Sequence, residues 1–309
     1  MSAWGERASF LAYRFGAAAA QAIPLQVAVP IAQGIGRVAA HFAADRRLIV
    51  ERNLRRTRGP DLDGAALRRA VGDTFAAYGR YWLELFRLER DAPTAVEPRF
   101  EAVGWEHIEA GLAAGRGVIL ALPHLGGFDT AAAWLAGRGV PPTVVVEPVQ
   151  PPELFEWFAR VRSAIGMEVI PLGPDAGRLI LRALARNRIV CLLSDRDLVG
   201  DGVVVELFGE QTTMPGGPAT LAFRSGAPLL PVGTYYRPHG RHFAAIGPPV
   251  PVERTGRLRD DVARVTQALA GRFEELVRAA PEQWHLMQPN WESDRIALAG
   301  RAARRGRSR

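Results

Sequence analysis

The sequence predicts an α/β fold in which helices cover both faces of a mostly parallel central sheet, after a helical N-terminal arm. From Gly104 onward, short apolar runs alternate with helical segments. Continuous apolar strands separated by helices are typical of parallel sheets that are buried on both faces. The predicted strands are the runs at 118–122, 143–146, 168–170, 189–193 and 229–236, and the helices between them lie near 127–136, 153–165, 176–186 and 218–224.

The N-terminal segment is apolar but lacks the pattern of a membrane span. Residues 8–44 are rich in Ala, Val, Leu and Ile, and polar or proline residues interrupt them at Arg14, Gln21, Pro24, Gln26, Pro30 and Gln33. Because no uninterrupted run of about 18 apolar residues remains and no secretory signal is present, we expect two bent helices that lie at a membrane interface. A helical hairpin packed against the protein's own core is the alternative.

Two long helices are predicted from apolar residues that recur every three or four positions. The first covers 64–90, with Asp61 or Asp63 capping its start, and the second covers 258–279 and ends before Pro281. No internal repeat or low-complexity linker divides the chain. We therefore expect a membrane-interfacial helical arm at 1–60, one α/β domain at 61–295, and a flexible basic tail at 296–309.

Arginine supplies all of the positive side-chain charge of the chain when histidine is neutral. The 39 basic residues exceed the 32 acidic residues, which gives a net charge of +7, and no lysine is present. The absence of lysine excludes a P-loop lysine and Schiff-base chemistry. Arginine is concentrated at 46–58 and 295–309, which suits phosphate groups. Since no nucleic-acid motif accompanies these clusters, we expect an anionic membrane surface and no nucleic acid as the partner; a frayed, solvated tail is the alternative.

Other motifs favour structural roles. Cys191 is the only cysteine. It lies inside an apolar run, where a small buried hydrophobe is expected rather than a nucleophile, and the chain can form no internal disulfide. The glycine pattern at 34–39 imitates a dinucleotide-binding fingerprint but has no βαβ unit around it. Trp284 and Trp291 are expected to be core or membrane-interface aromatics.

Reactive side chains follow several of the predicted strands. His124 comes directly after the first strand, Glu147 after the second, and Asp195 and Asp197 after the fourth. In an open parallel sheet, ligands bind at the carboxyl ends of the strands. An imidazole and several carboxylates are therefore predicted to meet at one edge of the sheet.

His124 and Asp129 form the predicted catalytic pair. Residues five positions apart point to different faces of a straight helix. They can meet only if His124 lies in the loop and Asp129 on the first helical turn, with Gly126 and Gly127 supplying the bend. A neutral imidazole could then accept a hydroxyl proton while Asp129 orients it. The alternative is a turn histidine, with Asp129 serving only as a charge at the helix N-terminus.

The pattern from Ala121 to Asp129, with His124 and Asp129 five positions apart after a strand, resembles the lysophospholipid acyltransferase-like superfamily. The downstream blocks resemble, in their order, the lipid A biosynthesis acyltransferase-like family. Similarity extends to about Arg295 and leaves the basic tail outside. The blocks are Glu147, Arg162 with Gly166, Val169-Ile170-Pro171, Asp195-Arg196-Asp197-Leu198, Val205-Glu206-Leu207-Phe208-Gly209, Met214-Pro215-Gly216-Gly217-Pro218-Ala219 and Pro281-Glu282-Gln283-Trp284.

This resemblance implies catalytic roles for four residues. His124 would be the general base toward an acceptor hydroxyl, supported by Asp129. Glu147 matches the acidic residue at the end of the next strand, and Asp195 matches a further site carboxylate. Similar enzymes carry the longer Glu at that last position, and Asp197 is a nearby competitor for the role and a candidate substrate contact.

The resemblance also implies substrate-binding residues. Arg162 matches the arginine of the helix after Glu147, and it could stabilise an oxyanion or bind donor phosphates. Backbone N–H groups near Gly126 are alternative oxyanion donors. Asp201 and Arg224 are lesser candidates for donor contact, and an exposed helix-end cation is the alternative for Arg224.

The implied reaction is acyl transfer from a thioester to a glycolipid. The family resemblance implies acyl-CoA, with a palmitoyl chain, as donor and a mannose 6-hydroxyl of a phosphatidylinositol mannoside as acceptor, at the cytoplasmic face of the cell membrane. Because a thioester is already activated, we expect no metal and no cofactor, and acyl-CoA is a co-substrate. The alternatives are a lipid A-type acyltransferase that uses acyl carrier protein, a glycerolipid acyltransferase, or a non-catalytic lipid-binding protein with the same fold.

Overall fold

The computed structural model of the chain describes residues 16–91, 93–148 and 151–307. A short helix at 16–22 precedes the numbered ones. The further helices are α1 Leu25–Phe42, α2 Ala44–Arg58, α3 Gly64–Arg87, α4 Pro93–Val96, α5 Trp105–Ala113, α6 Phe128–Gly137, α7 Pro152–Ala164, α8 Ala176–Ala185, α9 Gly217–Ser225, α10 Leu258–Ala279 and α11 Glu292–Arg307.

The described residues form a seven-stranded mixed sheet and a separate two-stranded hairpin. The strands are β1 Phe100–Val103, β2 Val118–Leu122, β3 Thr143–Val146, β4 Glu168–Pro171, β5 Ile189–Leu193, β6 Val203–Leu207, β7 Glu210–Met214, β8 Leu229–Tyr236 and β9 His242–Ile246. The sheet order is β1-β9-β8-β2-β5-β3-β4, and only the pair β8 and β9 is antiparallel within it. The predicted α/β class with a mostly parallel sheet is confirmed.

All five predicted strands form at the predicted positions, and four further strands were missed. The hairpin β6–β7 turns at Phe208 and Gly209, which both have positive φ. This turn lacks the Asn-Gly or Asp-Gly signal, and β7 is too polar to form an apolar run. β9 is antiparallel because the connection from β8 is too short for a crossover helix.

Strand β2 is the central buried element. All five of its residues are buried, and they alternate between the two hydrophobic clusters on either side of the sheet. Ile119 and Ala121 pack into the cluster that includes α8, α9 and α10, whereas Leu120 and Leu122 face the cluster that includes α6 and α7. This two-residue alternation places the loop after β2 between both helical layers.

The helical arm packs on α3 at two glycines. A Cβ atom at Gly36 would overlap the Phe75 carbonyl, and one at Gly79 would overlap the Ala32 carbonyl. Gly36 therefore allows α1 and α3 to pack closely, and it is not part of a dinucleotide-binding site. Residues 1–15 of the predicted arm lie outside the described residues. No single described helix is long and apolar enough to cross a membrane; only α1 and α2 together, bent by 104°, meet the length and composition of a span.

The C-terminal residues continue a helix that is anchored at its start. The predicted boundary between 295 and 296 lies inside α11. Asp294 in its first turn is fully buried and accepts hydrogen bonds from Arg52 and Arg56 of α2 at 2.5 and 2.8 Å. Part of the arginine cluster predicted to face a membrane is thus committed to contacts within the protein.

Candidate active site

The loop after β2 bends sharply to present His124. Gly126 has a φ of +60°, and a Cβ atom there would overlap the Thr234 carbonyl of β8. Gly127 is the N-cap of α6, with Tyr236 and His242 packed against it. The predicted bend at the two glycines is confirmed, and it leaves His124 in the loop and Asp129 on the first turn of α6.

The imidazole of His124 contacts Asp195 and not Asp129. The Nδ1 atom of His124 lies 2.6 Å from Oδ1 of Asp195. The other carboxylate oxygen of Asp195 accepts the backbone N–H of His124 at 2.9 Å and the indole N–H of Trp284 at 2.8 Å. The predicted pairing of His124 with Asp129 is therefore wrong, and Asp195 occupies the orienting position.

The environment of Asp195 keeps its carboxyl ionised. Burial alone would raise the pKa of Asp195, but the charge and hydrogen bonds of His124 and the hydrogen bond of Trp284 outweigh it and lower the pKa. An ionised Asp195 requires the proton of a neutral His124 to sit on Nδ1. The Nε2 atom is then the acceptor that a general base needs.

Asp129 instead forms a buried ion pair with Arg162. The guanidinium donates from Nε to Oδ1 at 2.8 Å and from Nη2 to Oδ2 at 2.9 Å. The hydroxyl of Tyr81 donates to Oδ2 at 3.1 Å. Asp129 turns away from His124 because the first turn of α6 faces α3 and α7, which carry Tyr81 and Arg162. Burial, and next the charge of Asp129, raises the pKa of Tyr81, so its phenol remains a donor.

This pairing changes the role expected for Arg162. Two of its N–H donors are used by Asp129, and the residue is buried. A guanidinium held in this way cannot present the same fork to a phosphate. Asp129 and Arg162 both line the cavity next to His124, so they shape the site and supply polar groups at its wall.

The two other predicted carboxylates lie at the cavity edges. Glu147 lines the same cavity as His124 and accepts a hydrogen bond from Arg196 at 2.9 Å. The oxygens of Asp197 accept the backbone N–H groups of Val199, Gly200 and Gly202 at 2.8 to 3.1 Å. Asp197 therefore shapes the loop after β5, and Asp195 is the carboxylate that contacts His124.

Asp201 and Arg224, the lesser candidates for donor contact, lie in different places. Asp201 is exposed at the rim of a second cavity described below. Arg224 is exposed near the C-terminal end of α9 and lines neither cavity next to His124. The alternative considered for Arg224, an exposed helix-end cation, fits this position.

A mostly apolar cavity of about 190 Å³ extends from His124 across one face of the sheet. Its wall includes residues of β3, β5, β2, β8 and β9, five neighbouring strands. These five strands span about 19 Å, which is four interstrand spacings of about 4.8 Å. His124, Asp129, Glu147 and Arg162 are at its polar side, and the β9 side is apolar: Phe100, Ile108, Trp134, Ala244 and Ile246. An elongated apolar ligand fits this shape.

Cys191 faces this cavity from the centre of β5. Burial raises the pKa of its thiol to about 12. The thiol is therefore un-ionised at neutral pH and is not a nucleophile. This agrees with the buried hydrophobic role predicted for Cys191.

A second cavity of about 220 Å³ reaches His124 from the side of α8 and α9. It shares His124, Val145, Glu147 and Leu193 with the first cavity. Its wall is apolar along Ile180 and Leu221, and polar residues after β5 also line it: Ser194, Arg196, Asp197 and Asp201. The imidazole of His124 therefore lines both cavities and lies where they meet.

Trp284 lies in the core, which is one of the two positions expected for it. Its contact with Asp195, and the contact of Tyr81 with Asp129, are not predicted from the sequence. The signal for Trp284 is the block at 281–284, which matches the family order. Tyr81 had no signal, because its neighbours Tyr78 and Trp82 define the apolar stripe of α3.

Known proteins resemble the chain over most of its length. The family model described as bacterial lipid A biosynthesis acyltransferase matches residues 6–293. A phosphatidylinositol mannoside acyltransferase of Mycobacterium tuberculosis is 39% identical over 236 residues, 75% of this chain and 72% of that protein. One from Mycolicibacterium smegmatis is 34% identical over 296 residues, 94% of this chain and 93% of that protein. A lipid A biosynthesis lauroyltransferase of Escherichia coli is 28% identical over 268 residues, 85% of this chain and 84% of that protein.

The matched residues include the whole site described above. His124 with its strand-end loop, Asp195 with the loop after β5, and Trp284 all lie within 6–293. The chain belongs to the bacterial lipid A biosynthesis acyltransferase family, and it is an O-acyltransferase.

Proposed function

We propose that this chain transfers a palmitoyl group from acyl-CoA to a mannose 6-hydroxyl of a phosphatidylinositol mannoside. The observation that carries the proposal is the position of His124, which is held by Asp195 at the polar side of a long apolar cavity. The names of the two mycobacterial relatives support the glycolipid acceptor. The residue types at the site support a reaction between a hydroxyl and a long-chain acyl group.

In the proposed reaction, His124 is the general base. Its Nε2 atom accepts the proton of the sugar hydroxyl while that oxygen attacks the thioester carbonyl, and a C–O bond forms. The tetrahedral intermediate then breaks its C–S bond, and the proton on His124 passes to the leaving sulfur. Asp195 holds the imidazole in the reactive orientation and stabilises its cation. Such general-base assistance contributes about a hundredfold to ten-thousandfold in rate, and it requires neither a metal nor a cofactor.

We assign the two arms of the donor to the two cavities. The apolar cavity suits the acyl chain, because its wall is apolar from β3 to β9 apart from the polar groups near His124. The thiol half of CoA carries amides and a hydroxyl, which suit the polar groups of Arg196 and Asp201 in the wall of the second cavity. The carbonyl between the arms then lies beside His124, where the two cavities meet.

Helix α1 supports a peripheral position on the membrane, where the glycolipid acceptor resides. Apolar side chains spaced three or four residues apart form an exposed stripe on it: Val27, Ile31, Ile35, Val38 and Phe42, each 48 to 84% exposed. A helix with such a stripe lies in the membrane interface plane. Because the proposed donor is a CoA thioester, we assign the protein to the cytoplasmic face of the cell membrane.

A matrix of donors and acceptors tests the proposed function. Purified protein is incubated with palmitoyl-CoA or palmitoyl-acyl carrier protein, and each is offered phosphatidylinositol mannoside, a lysophospholipid and a lipid A precursor. The proposal predicts a palmitoyl ester at the mannose 6-position with CoA as donor, and His239→Ala, which changes an exposed turn histidine, as an active control.

Other outcomes contradict specific parts of the proposal. Preference for the carrier-protein donor would assign the chain to the lipid A type of acyl donor. Transfer to the lysophospholipid alone would make the chain a glycerolipid acyltransferase. Binding of palmitoyl-CoA with no transfer to any acceptor would indicate a lipid-binding protein.

A further inference from the structure

A segment after α10 lies across the His124 loop. The backbone N–H of Gly126 donates to the carbonyl of Gln283 at 2.9 Å, and that of His285 donates to the carbonyl of His124 at 2.7 Å. Leu125 and Trp284 form a β-bridge between these two bonds. The side-chain amide of Gln283 also bonds both backbone groups of Tyr236, at 2.6 and 3.2 Å. The segment 283–285 is thus tied to both β8 and the loop.

The same segment holds the partner of His124. The indole N–H of Trp284 donates to Oδ2 of Asp195 at 2.8 Å, and the side-chain amide of Asn290 donates to the backbone carbonyl of Asp195 at 3.2 Å. Asp195 is 1% exposed and Trp284 is 3% exposed, so water does not compete for these bonds. His124 and Asp195 come from different strands, and residues 283–290 contact both.

We propose that Trp284 is a positioning residue for the proposed reaction: its indole N–H fixes one carboxylate oxygen of Asp195 so that the other faces Nδ1 of His124. This inference rests on the proposed function, in which His124 is the base. Trp284 touches neither substrate nor the reacting atoms, and it acts through Asp195.

The physical basis is that both carboxylate oxygens of Asp195 accept contacts from defined partners. Oδ1 of Asp195 faces the imidazole, while Oδ2 accepts the backbone N–H of His124 and the indole N–H. Without the indole, Oδ2 keeps a single donor in a buried site, and the carboxylate can rotate away from the imidazole. Hydrogen bonds to a buried charged group are stronger than those between neutral groups.

The hydrogen bond from the Trp284 indole affects the pKa of Asp195, and this effect can be measured. The titratable groups that face this carboxyl are His124 and His285. Burial, and next the charge of His124, lowers the pKa of His285 to about 3, so His285 is neutral in the range where enzymes are assayed. The hydrogen bond of Trp284 is one of the contacts that lower the pKa of Asp195. Its removal makes Asp195 take up a proton at higher pH.

Packing alone is the competing explanation for Trp284. Its ring lies 5.5 Å from that of Phe208 and 6.3 Å from that of Trp291. Trp284→Phe keeps an aromatic ring in this cluster and removes only the donor and part of the volume. Trp291→Phe is the matched control, because its indole donates to the backbone carbonyl of Glu210 at 3.3 Å and does not contact Asp195.

The test compares the pH dependence of kcat in the two variants. We expect Trp284→Phe to lower kcat about tenfold or more, to leave KM for the thioester unchanged, and to shift the acid limb of the kcat profile, because His124 titrates beside a carboxylate that is held differently. Trp291→Phe is expected to lower Tm while keeping the wild-type acid limb. An unshifted acid limb in Trp284→Phe, or the same shift in both variants, would overturn the proposal.

A second measurement follows the indole N–H of Trp284 in the wild-type protein. In protein labelled with ¹⁵N-tryptophan, the indole resonance missing from Trp284→Phe belongs to Trp284. We expect this resonance to move with the same pH midpoint as the acid limb of kcat, and to lose that movement in Asp195→Asn. If His124→Ala is inactive but the Trp284 resonance stays fixed through that pH range, the proposed base stands and the role of Trp284 is overturned. If His124→Ala retains full activity, the proposed base fails and the role of Trp284 fails with it.

Discussion

The carboxylate of Asp129 and the guanidinium of Arg162 meet in a bidentate ion pair, with N–O distances of 2.8 and 2.9 Å. Both side chains are buried, at 8 and 10% exposed. The pair joins α6 to α7, and Tyr81 of α3 adds a third contact. Asp129 thereby fixes three helices around the apolar cavity while His124 relies on Asp195.

Removing the carboxylate of Asp129 is expected to lower the free energy of unfolding more than it lowers the rate of acyl transfer. Asp129→Ala leaves the charge of Arg162 buried without a partner, and such losses cost about 3 to 5 kcal/mol. The double variant Asp129→Leu with Arg162→Met removes both charges and should recover most of that free energy of unfolding. Urea denaturation of the two variants measures the difference.

The opposite pattern would restore a catalytic role to Asp129. A stable Asp129→Ala protein whose kcat falls as far as that of Asp195→Asn would mean that Asp129 supports His124 directly. Asp175→Asn is the control for a general effect of carboxylate removal, because Asp175 is exposed at the N-cap of α8 and forms a surface ion pair with Arg178.

His285 is expected to make the protein less stable as the pH falls. Both ring nitrogens lack a hydrogen-bond partner among the described residues, and burial, and next the charge of His124, lowers the pKa of His285 from 6.5 to about 3. Between these values the unfolded chain binds a proton that the folded protein does not. Stability is therefore fully present above pH 6.5 and declines by up to about 1.4 kcal/mol per pH unit below it.

His285→Phe tests this dependence, since phenylalanine retains an aromatic ring beside Tyr78 and Tyr81. We expect the free energy of unfolding to depend less steeply on pH between 6 and 4 in this variant. His239→Gln, at an exposed turn, should keep the wild-type slope. Equal slopes for wild type and His285→Phe would contradict the prediction.

The apolar side of the cavity is expected to limit acyl-chain length. Ala244 lies on β9 in the cavity wall, away from Glu147 and β3. Ala244→Phe should fill this end and lower kcat/KM for a C16 thioester at least about tenfold, because a packed interior resists added volume. Thioesters of eight to ten carbons serve as the internal control, and they should react as with wild type.

Assays across the chain-length series decide this prediction. An equal loss at every chain length would indicate a general folding defect. No loss with the C16 thioester would mean that the acyl chain occupies another space.

Membrane binding is expected to depend on the exposed stripe of α1. Ile35→Gln with Phe42→Gln removes two of its most exposed apolar side chains, at 65 and 84% exposed. Flotation with anionic vesicles should recover several times less of this variant than of wild type, because less apolar surface enters the interface. Val204→Gln, at an equally exposed site of 64% on the β6–β7 hairpin, should float as wild type does. Equal flotation of the double variant would reject α1 as the contact.

The parallel part of the sheet could be predicted because each of its central strands is an uninterrupted apolar run. Gly126 and Gly127 also predicted the bend that presents His124, and Gly126 has a positive φ with no room for a Cβ atom beside Thr234 of β8. The hairpin β6–β7 and strand β9 could not be predicted, because polar residues and an unusual turn conceal them. The pattern of apolar residues and glycines reflects backbone preferences within a single helix, strand or turn, and it predicts those elements well.

The partner of His124 could not be chosen by the same means. Asp129 is five residues away and Asp195 is 71 residues away, and both follow a strand end. Which carboxylate faces the imidazole depends on the pairing of β2 with β5 and on the presence of Arg162 and Tyr81 beside Asp129. These are tertiary contacts, and proximity in sequence favoured the wrong residue.

Acyl transfer by His124→Ala, Asp195→Asn and wild type under single-turnover conditions tests the role of the histidine and its partner most directly. Thioester binding is measured in parallel, so that a loss of transfer is not a loss of donor. We predict that both variants bind palmitoyl-CoA as wild type does, and that transfer falls by about a hundredfold or more in each. Transfer at the wild-type rate by His124→Ala, or an Asp195→Asn protein as active as Asp175→Asn, would contradict the assignment of base and partner.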